Sequence, residues 1–115
     1  PLGCPLVTPE GQRALRAARR AAEVAQQLHR LGKGRFDADD TMRLALQRAW
    51  IALGEAARRY CEAEDVSRGS EPWSDMARLR DKLAHLLLDE VVPDLLWAVG
   101  ERDLPAWLHA IDELL

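Results

Sequence analysis

An all-α bundle is the fold this sequence predicts, and three observations point to it. Ala and Leu dominate the composition while Val and Ile are sparse, apolar residues recur at helical spacing over most of the chain, and Pro, Gly and acidic cap residues punctuate those runs. At 115 residues and 12.9 kDa the chain has room for one core, so the expectation is a single domain of four to five antiparallel helices.

Thr8-Pro9-Glu10 reads as an N-cap followed by Pro at the first helical position, and Leu15, Ala18, Ala22, Ala25 and Leu28 then line one face of a helix running to about Leu31. Gly32-Lys33-Gly34 breaks it. Asp37 to Asp40 supplies the cap of a second helix that extends to about Glu64, with Met42, Leu46, Ala49, Trp50, Leu53, Ala56, Ala57 and Tyr60 facing inward. Asp65 to Pro72 is the one sizeable loop. A third helix starts near Trp73 with Met76, Leu79, Leu83 and Leu86 as its stripe, and the run Leu86-Leu87-Leu88 makes its end apolar nearly all round. Pro93 forces a break or a new start, Asp94 to Val99 is a short helical piece, and Asp103-Leu104-Pro105 opens a last helix carrying Trp107, Ile111 and Leu114. Pro1-Leu2-Gly3 resembles the scar of a tag-removing protease, so residues 1–8 are read as scar and flexible lead and 9–115 as the domain.

A formal charge of −3 and a pI of about 5.6 give no global attraction to a polyanion, so any nucleic-acid contact has to come from a local basic patch. Cys4 and Cys61 have neither CxxC spacing nor disulfide density, and His29, His85 and His109 do not join them at metal-ligand spacing. A reduced, cytoplasmic protein with no metal and no cofactor is the simple reading. No apolar run approaches the roughly 20 residues of a membrane span. The GxSxG, P-loop and HExxH patterns are all missing from the chain.

What remains is the stretch Arg80-Asp81-Lys82-Leu83-Ala84-His85. It joins a permanent cation that can grip a phosphate bidentately to an imidazole whose ordinary pKa near ~6.5 suits proton transfer at neutral pH. Five residues of helix set Arg80 and His85 roughly 140° apart, so they share a face only through the length of Arg or through a second copy of the helix. Asp81 precedes His85 by one helical turn and would orient its ring. From spacing alone, the simpler reading is a surface arginine and a hydrogen-bonded helical histidine. Glu55 follows Gly54, whose cost in helix propensity suggests a close helix approach. It is either a buried partner for an arginine or a solvent-facing carboxylate. Arg48, Arg58, Arg59, Arg78 and Lys82 form either an RNA-contacting rim, with Arg78 and Lys82 foremost, or ordinary solvated faces. The four Trp read as core or interface anchors rather than base-stacking platforms.

Taken in order, four segments resemble the HepT-like family of HEPN domains, the toxin half of HEPN/MNT toxin-antitoxin pairs. They are Arg48 to Ala56 with its Gly-Glu-Ala centre, Pro72-Trp73 as helix opener, Arg80 to His85 as an Arg-x4-His motif, and Asp103-Leu104-Pro105. The resemblance spans roughly Asp37 to Leu115. It implies a HEPN-like bundle, a homodimer whose two motifs meet in a cleft, metal-independent cleavage of RNA through the ribose 2′-OH, and a nucleotidyltransferase-type (MNT) antitoxin as partner. Arg80 and His85 are then the catalytic pair, with Asp81, Glu55 and Arg48 supporting.

One departure matters. The family commonly continues its motif to a Tyr that accepts adenylate from the partner, and here that position is Leu87, which has no acceptor. Asp81 stands where the family often has Asn. Either the partner neutralises by binding over the cleft, the preferred reading, or another hydroxyl such as Tyr60 is used, or the toxin role is lost. The alternative function is a non-catalytic helical binding subunit of a nucleotidyltransferase complex.

Overall fold

The computed structural model describes residues 7–67 and 69–115. Cys4 and most of the lead therefore lie outside the described residues. Among those described, six α-helices follow in order: α1 (Pro9–Arg30), α2 (Lys33–Ala38), α3 (Asp40–Glu64), α4 (Trp73–Ala84), α5 (Pro93–Arg102) and α6 (Leu104–Leu114). A 3-10 turn at Leu88–Glu90 joins α4 to α5. The all-α bundle expected from composition is what forms, with one short helix more than periodicity predicts.

The long antiparallel pair α1/α3 is the spine. Thr8 caps α1 by accepting from the Gly11 N–H at 3.0 Å, and its own backbone N–H donates to Glu64 Oε2 at 3.0 Å, tying the start of α1 to the end of α3. Ala14, Ala18, Ala22 and Ala25 of α1 and Ala49, Ala56 and Ala57 of α3 are all buried, and side chains this small let the two packed helices approach closely. Leu15, Leu46, Trp50, Leu53, Met76 and Ile111 fill the core, each under 2 % exposed. All four tryptophans are buried. Trp50 donates Nε1–H to the Leu96 carbonyl at 3.1 Å and meets Trp107 edge-on, Trp73 tilts against Tyr60, and Trp97 stacks on His29 with centroids 3.7 Å apart.

Two boundaries differ from the sequence expectation. The break after α1 is only two residues wide, Leu31 and Gly32: Gly32 takes φ 99°, a backbone value that favours glycine, and α2 begins at Lys33 and buries Phe36 against Trp97. The third helix of the sequence reading ends at Ala84, short of the Leu86-Leu87-Leu88 run. His85 leaves helical geometry at φ −105°, ψ 0°. Leu86 is half-buried, whereas Leu87 is 73 % exposed and Leu88 opens the 3-10 turn, so this apolar run is no helix end buried on all sides. α5 takes Pro93 at its first position, where the missing N–H costs nothing.

Candidate active site

Gly54 sets the geometry. A Cβ there would overlap both the Cβ of Arg80 and the carbonyl oxygen of Met76, so α4 crosses α3 in direct contact at this point. The close approach read from the cost of a mid-helix glycine is present, and it brings the Arg80 stem onto α3 one residue from Glu55.

Arg80 is about one-third exposed. Its Nη1 donates to Asp81 Oδ1 at 3.0 Å and its Nε stands 3.6 Å from Glu55 Oε1. The second distance is an ion pair but too long for a hydrogen bond, and the buried Nε–H has no hydrogen-bond partner among the described residues. Glu55 is held by two further arginines, accepting from Arg58 Nη2 at 2.6 Å and from Arg59 Nε at 3.1 Å. The Arg58 hydrogen bond is the largest influence on its carboxyl. With Arg59 and the charges of Arg58 and Arg80 it outweighs partial burial and brings the pKa down to about 2. Glu55 is thus an ionised hub for three guanidinium groups, the arginine partner that the sequence allowed.

His85 is exposed at the C-terminal end of α4. Buried Gln47 fixes that end by donating to the Leu83 carbonyl at 3.3 Å. The contact expected between Asp81 and His85 is replaced by the Asp81–Arg80 pair. With α4 stopping at Ala84, His85 no longer follows the one-turn register that would stack it over Asp81.

Arg80 opens into a cleft of about 850 Å³ between α1 and α3, lined by Arg48, Ile51, Ala52, Glu55, Arg58 and Arg59 of α3 and by Glu10, Arg13, Ala14 and Ala17 of α1. Arg48 therefore shares a wall with Arg80. His85 is outside this lining, so in one copy of the chain the cleft that receives Arg80 does not also hold His85. Arg78 also lies elsewhere, engaged by Asp75 at 2.6 Å and Glu71 at 3.3 Å beside a separate depression. Lys82 is exposed and makes no ion pair among the described residues. Arg13 is a lining residue that sequence reasoning missed, because α1 carries no motif and only the α1/α3 packing brings it to the same cleft as Arg48.

A family model for ribonuclease HepT-like proteins matches residues 15–114, taking in most of α1, all of α2 to α6 and the whole Arg80–His85 stretch. The chain belongs to the HepT-like ribonuclease family. Comparison with curated proteins and with solved structures gives no significant match. In this HepT-like chain Leu87 is the most exposed large apolar residue described. Tyr60 is 6 % exposed and tilted against Trp73, and burial raises its phenol pKa. Cys61 is buried, and burial likewise pushes its thiol up. Among the described residues no cluster of His, Cys, Asp and Glu has metal-binding geometry, and no helix is long and apolar enough to cross a membrane.

Proposed function

We propose that this HepT-like protein is a cytoplasmic HEPN-type toxin, a metal-independent endoribonuclease that works as a homodimer with Arg80 and His85 as its catalytic residues. The observation that carries this reading is Arg80 itself. In a chain of a ribonuclease family, the arginine of the Arg-x4-His motif is seated against Gly54, steadied by Glu55, and opens into an arginine-lined cleft. Since His85 stands outside that cleft, the pair converges when a second copy supplies the facing motif. Leu87, Leu88, Val92 and Leu95, exposed just after His85, give such a contact its apolar area.

The reaction follows from the residue types. A general base takes the proton of a ribose 2′-OH, whose oxygen forms a bond to the adjacent phosphorus. The bond from phosphorus to the 5′ oxygen breaks, and an acid protonates that leaving oxygen. His85 from one or both protomers moves the protons, and the products are a 2′,3′-cyclic phosphate and a 5′-hydroxyl. Arg80 neutralises the charge that builds on the non-bridging oxygens. An MNT-type nucleotidyltransferase antitoxin neutralises by covering the cleft, because Leu87 accepts no adenylate and the Tyr60 hydroxyl belongs to a buried side chain.

One observation favours the second reading, a non-catalytic binding subunit of a nucleotidyltransferase complex: in the single chain Arg80 is already engaged by Asp81 and Glu55. Induction in a bacterial host separates the two. The toxin reading expects growth arrest that His85→Ala relieves, whereas unimpaired growth with either form would overturn it.

A further inference from the structure

The cleft that receives Arg80 is charged against the trend of the chain. The protein carries a formal −3, yet this lining holds five arginines and only two glutamates, Glu10 and Glu55, the latter already committed to Arg58, Arg59 and Arg80. Arg13 and Arg48 are exposed and make no ion pair with a carboxylate among the described residues. Arg48 and Arg59 are separated by three turns of α3 and lie on one face of it, about 16 Å apart along the axis. That length suits several linked phosphates better than one. Between the charges the floor is small and apolar, made by Ala14, Ala17, Ile51 and Ala52, a surface on which a ribose or a base can lie flat.

We infer that Arg13, Arg48 and Arg59 form a phosphate track that holds single-stranded RNA along the α1/α3 cleft and leads it to Arg80. The choice of RNA rests on the ribonuclease reading above; the anion preference rests on the lining alone. The two-fold contact that brings the motifs together runs through the exposed Leu87, Leu88, Val92 and Leu95 and not cleft on cleft, which would set arginines against arginines. An acidic surface of the antitoxin would satisfy the same cations when it covers the cleft, but only RNA gives Arg80, the motif residue in the same wall, a substrate to position. Single strands fit better than duplex because in-line attack by a 2′-OH needs an unstacked linkage, and a strand in a groove presents both phosphates and base faces.

The test is binding of a fluorescent single-stranded RNA of mixed sequence to the full chain carrying His85→Ala, measured by anisotropy over a range of salt concentrations. Adding Arg13→Ala or Arg48→Ala should weaken binding severalfold at about 100 mM salt. Each should also lower the slope of log affinity against log salt by about 0.7, the value of one single-strand phosphate contact. Arg30→Ala, at the far end of α1 beside a different depression, should change neither. Circular dichroism confirms that each variant keeps its helices. Unchanged affinity and slope in both variants overturn the track, as does failure of the His85→Ala protein to bind RNA at low salt. Variants that lose binding to a purified nucleotidyltransferase partner but keep RNA binding unchanged would likewise overturn it, leaving the cleft a site for the partner alone. Cleavage by the wild type with unaffected binding in the variants sinks this inference and leaves the ribonuclease reading standing. The reverse pattern does the opposite.

Discussion

Gly54 and Arg80 occupy adjoining space that no side chain at position 54 can share: a Cβ there would overlap the Arg80 Cβ and stand 3.2 Å from its Cγ. Helix propensity alone makes Gly54→Ala stabilising by ~1 kcal/mol. Overpacking reverses the sign, because α3 and α4 must separate at a backbone contact, and the net expectation is a loss of about 1–3 kcal/mol. Urea denaturation measures it. A variant more stable than the wild type would show that the α3/α4 contact is looser than described.

Glu55 gives a pH signature. Its folded-state pKa of about 2 lies below the ordinary glutamate value of 4.5, so its contribution to stability is fully present above that value and is lost as pH falls from 4.5 towards 2. Glu55→Gln should cost about 1–2 kcal/mol at neutral pH, the scale of a partly exposed charge-assisted hydrogen bond. The gap between variant and wild type should close across that acid window. A constant gap from neutral pH down to pH 2 would contradict the three-arginine hub.

At Leu87, 73 % exposed, a tyrosine meets no steric resistance, and Leu87→Tyr should change stability by no more than about 0.5 kcal/mol. Wild-type protein co-expressed with the proposed nucleotidyltransferase partner should keep its unmodified intact mass. An adenylate adduct on any residue would refute neutralisation by covering.

Much of this was legible from residue order. The inward stripe of α3 from Met42 to Tyr60 is buried throughout as its periodicity predicts, Thr8 caps α1, and Gly54 marks a close helix contact. The end of α4 was not legible: no glycine follows Ala84, and Leu86-Leu87-Leu88 prolongs an apolar pattern that the chain uses as a turn. Nor was α2, since two glycines flanking Lys33 read as a breaker while Phe36 docks on Trp97, a partner distant in sequence. Arg13 escaped for the same reason, joining Arg48 in one cleft only after α1 and α3 pack. The Asp81–His85 pairing failed because one-turn register holds only inside a helix, and the helix stops one residue before His85.

The central claim is that Arg80 and His85, brought together by two copies of the chain, cut RNA by proton transfer without a metal. Incubation of the purified protein with RNA in excess chelator, followed by analysis of the cleaved ends, tests it most directly. The account predicts 2′,3′-cyclic phosphate ends, with the rate reduced ~10²- to 10⁴-fold in His85→Ala. Undiminished cleavage by His85→Ala, or cleavage that chelator abolishes, would contradict it.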